Sequence, residues 1–326
     1  MELKDSRVLV IGGAGFIGSF VVSELLKEEV AEVVVYDNFA RGKKSYLKES
    51  LKDPRCKLFP IGGDIREVDI LNKAMEGVDY VFCLAAMWLL HCKDYPRTAF
   101  DVNIAGTFNV LEACVKNNIK KLVWSSSASV YGDAVELPMT ESHPFNNKNF
   151  YGASKIAGEA MATAFNDRYG LKVIGLRYMN VYGPHQDQTA AYTGVIPIML
   201  NKIDANEAPT INGDGSQAYD FIYVEDVARC NIQAMKSDTE HGFYNVGTEI
   251  QTSIKELCDT ILDLKKSDLK VNYKPYSADD ARALVQNRIG SKEKAENELG
   301  FTYKYSLVEG LTKLIEWRNE NPVVEE

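Results

Sequence analysis

The stretch "RVLVIGGAGFIGSFVVSELLKEE" (residues 7–29) decides how this chain folds. Its opening, "RVLVIGG" (7–13), is a short β-rich run ending in glycines, and "FIGSFVVSELLKEE" (16–29) has the apolar spacing of a helix. Between the two, Gly12, Gly15 and Gly18 stand three apart. Glycine lets a backbone turn tightly and lets a diphosphate approach without a Cβ in the way. The helix behind them offers unpaired N–H groups and the positive end of its dipole. The next strand-like run, "EVVVYD" (32–37), ends in Asp37, about 20 residues beyond the glycines, where a carboxylate accepts both hydroxyls of a ribose. That carboxylate would repel a 2′-phosphate, which favours NAD over NADP, although Arg41, Lys43 and Lys44 follow closely and pull the other way. A glycine turn used only for packing, with a surface Asp37, would read the same in isolation; the strand before, the helix after and the acid beyond argue for a dinucleotide cradle. "GGDI" (62–65) adds Asp64 after a third strand, placed either to meet an adenine edge or to cap the helix behind it.

Outward from this unit the pattern repeats. "CKLFPIGGDI" (56–65), "VDYVFCLAA" (78–86), "KKLVWSSS" (120–127) and "KVIGLRY" (172–178) contain strands, and "TAFDVNIAGTFNVLEACVKN" (98–117) has Phe100, Ile104, Phe108, Leu111 and Val115 at helical spacing. Apolar strands alternating with helices predict an α/β fold, a doubly wound parallel (Rossmann) sheet covered on both faces. After about residue 180 the texture turns polar and turn-rich, with a short helix expected over 195–203 and late strands in 220–228 and 242–248. The expected division is a dinucleotide-binding domain over 1–178, completed by 218–248, and a smaller mixed α/β substrate lobe over 179–217 and 249–326.

Bulk composition narrows the function. The chain has 326 residues, 45% hydrophobic and 25% charged, with a net charge of −9 and no basic stripe, so no nucleic-acid partner is expected. No apolar run approaches the ~18 residues of a membrane span, so no membrane partner is expected either. "MELKDSRVLVIGG" enters a strand directly, and six cysteines lie scattered without CxxC pairing. Both point to reduced thiols in the cytoplasm. The four histidines have no metal-ligand spacing, and no metal site is expected.

"NFYGASKIAGEA" (149–160) sets Tyr151 and Lys155 one helical turn apart among small residues. A solvated helix pairs Tyr with Lys often, and the spacing alone carries little. Together with the cradle, "LAA" (84–86), "SSSASVYG" (125–132), "YGASK" (151–155) and "LRYMNVYGP" (176–184), in this order, it resembles the extended short-chain dehydrogenase/reductase family, in particular its nucleotide-sugar epimerases and dehydratases. The resemblance spans nearly the whole chain and is greatest with the 4-epimerase branch. It implies that Gly12, Gly15 and Gly18 hold the pyrophosphate of NAD, with Phe16 and Ile17 donating N–H groups, that Asp37 and Asn38 hold the ribose, and that Asp64 and Ile65 flank the adenine. Ala85, Ala86 and Asn103 would lie along the cofactor. Ser127, four residues before Tyr131, would join Tyr151 and Lys155 as the catalytic set; Asn180 would meet the substrate diphosphate; Val195 and Ile211 would lie near the nucleotide base, unless their apolar spacing is plain packing.

On this reading an ammonium one turn away, with the positive nicotinamide ring, favours the phenolate of Tyr151. Tyr151 then takes a sugar hydroxyl's proton while the carbon gives up hydride. Small neighbours would let substrate and cofactor reach the pair. Dehydratases of the family usually place Asp-Glu after the catalytic Thr, where this chain has Ala128 and Ser129. That leaves C4 epimerisation of a UDP-sugar, with decarboxylation of a uronic acid as the close competitor. Two departures stand out. The family's phosphate-clamping Arg before "D-[FY]" is Tyr219 here, so either Arg282 or Arg288 supplies the clamp alone or the leaving nucleotide sits differently. The apolar "MWLLHCKDYP" (87–96) either shapes a pocket or is core. The resemblance also implies a homodimer through helices 98–117 and 150–169, with Phe108, Leu111, Ile156 and Met161 as candidate outward residues.

Overall fold

The computed structural model describes residues 2–188, 194–276 and 285–321. Strands β1 to β6 are Arg7–Ile11, Glu32–Tyr36, Cys56–Leu58, Tyr80–Cys83, Lys121–Ser125 and Val173–Tyr178; β7 to β10 are Asn180–Tyr182, Thr210–Asn212, Ala218–Tyr219 and Phe221–Tyr223; β11 is His241–Val246; β12 to β14 are Thr252–Ser253, Asn272–Lys274 and Asn287–Arg288. Seven of them form one sheet in the order β3-β2-β1-β4-β5-β6-β11, every pair parallel. Side chains alternate along a strand, so Val8 and Val10 of β1 join Val33 and Val35 of β2 on one face, and Leu9 and Ile11 join Val34 and Tyr36 on the other. Helices Phe16–Leu25 and Val224–Lys236 cover the first face; Val68–Met75, Thr107–Lys116 and Phe150–Tyr169 cover the second. Both faces being buried explains why the strands read as unbroken apolar runs.

The chain winds outward from β1 to β3, then returns to β4 on the other side of β1. That reversal opens a crevice at the carboxyl ends of β1 and β4, where the fold physically favours a ligand. A separate core of Tyr182, Ile196, Leu200, Leu257, Ile261 and Leu311 builds the region beyond those strand ends. There β9 pairs with β12 antiparallel and with β14 parallel, with Tyr219 opposite Arg288.

The helix expected over 98–117 is present and unbroken over 96–116, but it is not α-helical throughout. It runs as Pro96–Ala99, a π-helical Phe100–Gly106, and Thr107–Lys116. A π-turn adds a residue per turn and rotates the helix beyond it. Asn103 consequently points inward at 2% exposure, while Phe100 and Phe108 remain 48% and 43% exposed. Leu111 is buried and Met161 packs on the sheet core, so of the four candidate outward residues only Phe108 is fully at the surface. Among the described residues no helix is long and apolar enough to cross a membrane.

Candidate active site

The glycine turn joins β1 to the helix Phe16–Leu25. Gly12 has φ +79°, and a Cβ there would come within 2.7 Å of the Ala85 backbone nitrogen, so glycine is required where the ends of β1 and β4 touch. A Cβ on Gly15 would meet only the Gly12 carbonyl oxygen, at 3.2 Å, and would otherwise stand in the groove. The helix begins without a capping side chain and without an acid in its first turn. Its first N–H groups are therefore open to a diphosphate, which is the donor set such a group needs.

On one side of the turn lies a cavity of about 330 Å³ lined by Asp37, Asn38, Asp64, Ile65, Ala85 and Ala86, all six expected at a cofactor. Asp37 is nearly buried; its carboxylate accepts the Ala14 N–H at 2.9 Å and the Phe39 N–H at 2.8 Å, and burial pushes its pKa up. Asp64 takes the Arg66 guanidinium through two contacts, 2.9 and 2.6 Å, which lowers its pKa. Arg41 and Arg66 line this cavity, Arg66 paired with Asp64, whereas Lys43 and Lys44 do not.

On the other side a cavity of about 340 Å³ is lined by Phe16, Ile17, Gly18, Ser125, Ser126, Tyr151, Lys155 and Tyr178. Lys155 is 3% exposed and donates to the Ser125 carbonyl at 2.6 Å; its ammonium lies 4.8 Å from the Trp124 ring centre and 5.6 Å from that of Tyr151. Burial pushes its pKa down to about 8. The Tyr151 phenol is pushed up to about 12, first by burial, against a hydrogen bond with Ser127 that lowers it. Burial thus opposes the phenolate that the ammonium and the positive nicotinamide ring are expected to favour. Lys155 spends its charge on a carbonyl and an indole face rather than on the phenolic oxygen. The small residues also have a different use: a Cβ on Gly158 would sit 2.5 Å from the Trp124 ring, so this glycine lets the helix dock onto β5.

A third cavity, about 260 Å³, is lined by Ser127, Ser129, Asn180, Val195, Phe221 and Arg288, and shares Tyr178 and Gln186 with the second. Ser127 caps the turn Ala128–Val130, its hydroxyl accepting the Ser129 N–H at 3.1 Å. Two expected site residues lie elsewhere. Ile211 is 1% exposed in the core beyond the strand ends, so it packs and faces no cavity. Asn103 lines none of the three cavities; it accepts the Met87 N–H at 2.7 Å and donates to the Met87 carbonyl and the Ser154 hydroxyl, tying the loop after β4 to the Tyr151 helix. Arg282 lies outside the described residues.

Residues 8–247 match the NAD dependent epimerase/dehydratase family. The chain belongs to that family. Its cofactor is accordingly NAD, and the glycine turn, the open helix start and Asp37 fit it. The chain is similar to the UDP-glucose 4-epimerase of Lacticaseibacillus casei, 31% identical over 340 residues that cover 97% of each chain. Among solved structures it is similar to the UDP-N-acetylglucosamine 4-epimerase of Methanobrevibacter ruminantium M1 in complex with UDP-N-acetylmuramic acid, with 32% identity, a TM-score of 0.90 and 98% and 99% of the two chains covered. It is also similar to the UDP-glucose 4-epimerase of Thermus thermophilus in complex with NAD, with 31% identity, a TM-score of 0.83 and 95% and 98% covered.

Two features of this epimerase/dehydratase escaped the sequence reading. Arg41 lines both halves of the cofactor groove: its guanidinium lies 3.4 Å over the Trp88 ring and 3.2 Å from the Asp187 carboxylate. The 87–96 stretch is not a plain loop but an α-helix over Leu89–Asp94, and it is pocket and core at once, with Trp88 and His91 at the groove and Cys92 fully buried. Beneath the serine run, Arg177 and Glu159 form a buried two-pronged pair at 2.8 and 2.7 Å, both side chains 5% exposed. Arg177 also donates to the Tyr131 hydroxyl at 2.7 Å, and Ser126 donates to Glu159, so the pair holds the serine run in place. Only Tyr131, through its place in "VYG", gave a sequence handle on this network.

Proposed function

We propose that this chain epimerises C4 of a UDP-sugar through a transient 4-keto intermediate, retaining its NAD throughout. The observation that carries the reading is the meeting of Ser127, Tyr151 and Lys155 at the carboxyl end of β5: Tyr151 and Lys155 line one cavity, Ser127 lines the next, and Ser127 holds the phenol's pKa down against burial. When bound, NAD supplies the acceptor and donor of the C4 hydride and, in its oxidised form, a positive charge. Tyr151 takes the proton of the C4 hydroxyl as that carbon is oxidised, and returns it when the ketone is reduced on its opposite face. Ser127 holds the same oxygen and stabilises it as a carbonyl. Lys155, buried and near neutrality in pKa, holds a cofactor hydroxyl and adds positive charge one turn from the phenol. Since burial alone holds the phenol up at about 12, its activation depends on these cations acting together. Ala128 and Ser129 bring no carboxylic acid to the sugar, so elimination of water lacks its acid and base.

The site residues that line the three cavities act in these roles, with Asn180 and Val195, in the third, on the side of the nucleotide. The working form is a homodimer: Phe100, Phe108, Phe150 and Tyr169, on the helices expected at its interface, are 43–58% exposed. Six buried free cysteines suit the reducing cytoplasm. The test is a panel of UDP-, dTDP-, GDP- and CDP-sugars with the purified protein and no added cofactor. Interconversion of C4 epimers with no net redox change is expected; stoichiometric consumption of added NADPH, or release of carbon dioxide from a UDP-uronic acid without epimer formation, refutes it.

A further inference from the structure

Among the described residues that line the third cavity, Arg288 on β14 is the one that is charged; the others bring hydroxyls, amides and apolar groups, and no acid. Its Nε is sealed from solvent without a hydrogen-bond partner, and among the described residues the guanidinium makes no ion pair. Burial pulls its pKa below the ordinary arginine value. A cation held this way is costly unless an anion comes to it. Asp133, the acid whose charge reaches it, is engaged elsewhere: its carboxylate accepts the N–H groups of Gln286 and Asn287, at 2.8 and 3.2 Å. Tyr219, its register partner, turns its hydroxyl to the Val285 carbonyl at 2.8 Å. The counter-charge is therefore left to the substrate.

The position of the guanidinium says which part of the substrate. It stands at the reacting end of the site: against the burial that raises the Tyr151 pKa, the Arg288 charge pulls it down. The backbone pins it there. Met139 donates its N–H to the Ile289 carbonyl and accepts the Ser291 N–H, both at 2.8 Å, and Gly290 lies so close to Met179, just past β6, that a Cβ has no room. In a nucleotide sugar the diphosphate leaves from C1, across the ring from C4, whereas C6 hangs from C5, next to C4. A guanidinium within electrostatic reach of the base that works on the C4 hydroxyl is thus placed for a charge at C6. Its planar fork matches the two oxygens of a carboxylate, and Ser127 and Ser129 add hydroxyls beside it.

We propose that the sugar is a uronic acid whose C6 carboxylate is held by Arg288, so that the chain interconverts the C4 epimers of a UDP-uronate. The inference rests on the C4-epimerase reading above and narrows its substrate. Its test compares UDP-glucuronate and UDP-galacturonate with UDP-glucose and UDP-galactose on the NAD-loaded wild type, Arg288→Gln and Arg288→Lys. Turnover and calorimetric binding are followed, with thermal melts and NAD content as controls on the fold. Wild type has the higher kcat/KM on the uronates. Arg288→Gln lowers the ratio of uronate to neutral-sugar kcat/KM by about 10- to 100-fold, the scale of one charge-assisted contact, and Arg288→Lys recovers part of it. A wild type that epimerises the neutral sugars and not the uronates overturns the proposal and leaves the C4-epimerase reading standing. An unchanged ratio in Arg288→Gln also overturns it, and so does an equal loss on both sugar classes and on UDP alone, which puts the guanidinium on the diphosphate. A wild type that binds no nucleoside diphosphate and turns over neither class overturns the nucleotide-sugar reading and this one with it.

Discussion

Arg41→Met tests whether the Arg41 bridge retains the cofactor. The guanidinium spans the groove between the loop after β2, Trp88 and Asp187, and it lines both cavities that flank the glycine turn. A dinucleotide occupying both cavities has to leave past it. The stack on Trp88, at 3.4 Å, is close and half-buried, worth about 0.5–2 kcal/mol. The ion pair to Asp187, at 3.2 Å, has side chains 39% and 33% exposed, so solvent holds it to about 0–1 kcal/mol. Together they contribute about 0.5–3 kcal/mol, which corresponds to roughly 2- to 150-fold in a release rate. Methionine keeps the stem and its packing while removing the charge and the fork. The assay loads the protein with NAD, removes the excess, and follows release by trapping free NAD with alcohol dehydrogenase and ethanol. Release at least about twofold faster than from wild type is expected, with the melting temperature unchanged. An unchanged release rate refutes the bridge as a retaining strap; release that accelerates only together with a lowered melting temperature assigns Arg41 to the fold.

Three other perturbations draw on the same geometry. Tyr151→Phe removes the proton acceptor without touching the buried neighbours, and turnover falls by roughly a hundredfold or more while NAD content holds; turnover near wild type would remove Tyr151 from the chemistry. Glu159→Ala leaves the Arg177 guanidinium buried and unpaired, costing about 3–5 kcal/mol in urea unfolding; a loss under about 1 kcal/mol would show that Arg177 finds another partner. His185 is packed against Tyr46 at 4.3 Å and hydrogen-bonded to Ser19 at 2.9 Å, and burial pushes its pKa down from 6.5 to about 4. The unfolded chain takes up a proton there at higher pH than the fold does, so the neutral ring's contribution is full above pH 6.5 and is lost as pH falls towards and through 4. That is worth at most about 3 kcal/mol. His185→Asn, which suits the positive φ of 69° at this position, flattens the fall in stability between pH 6.5 and 4; an equally steep fall in the variant would exonerate the ring.

How much of this could be read from the letters alone depends on the range of the physics involved. A two-residue alternation assigns Val8 and Val10 to one face and Leu9 and Ile11 to the other because that pattern is local, and the cradle is legible because Gly12 to Gly18 act within one turn. Tyr151 and Lys155 are legible as neighbours for the same reason, but their acidity is not. It depends on Trp124 and the Ser125 carbonyl, which occupy the ammonium, and on how deeply the phenol is buried, and neither quantity is carried by a spacing of four. The π-helical turn at Phe100–Gly106 is invisible for a related reason: apolar spacing is set by the turns on either side, whereas the insertion is held by Asn103 bonding Met87 and Ser154, partners 16 and 51 residues away. The substrate end is least legible because register decides it. Tyr219 read alone is a missing cation. Only the pairing of β9 with β14, far apart in the chain, sets Arg288 opposite it. This end of the fold is therefore written in strand pairings of two or three residues, too short to announce themselves by pattern, and a substitution at one strand is interpretable only beside its partner on the next.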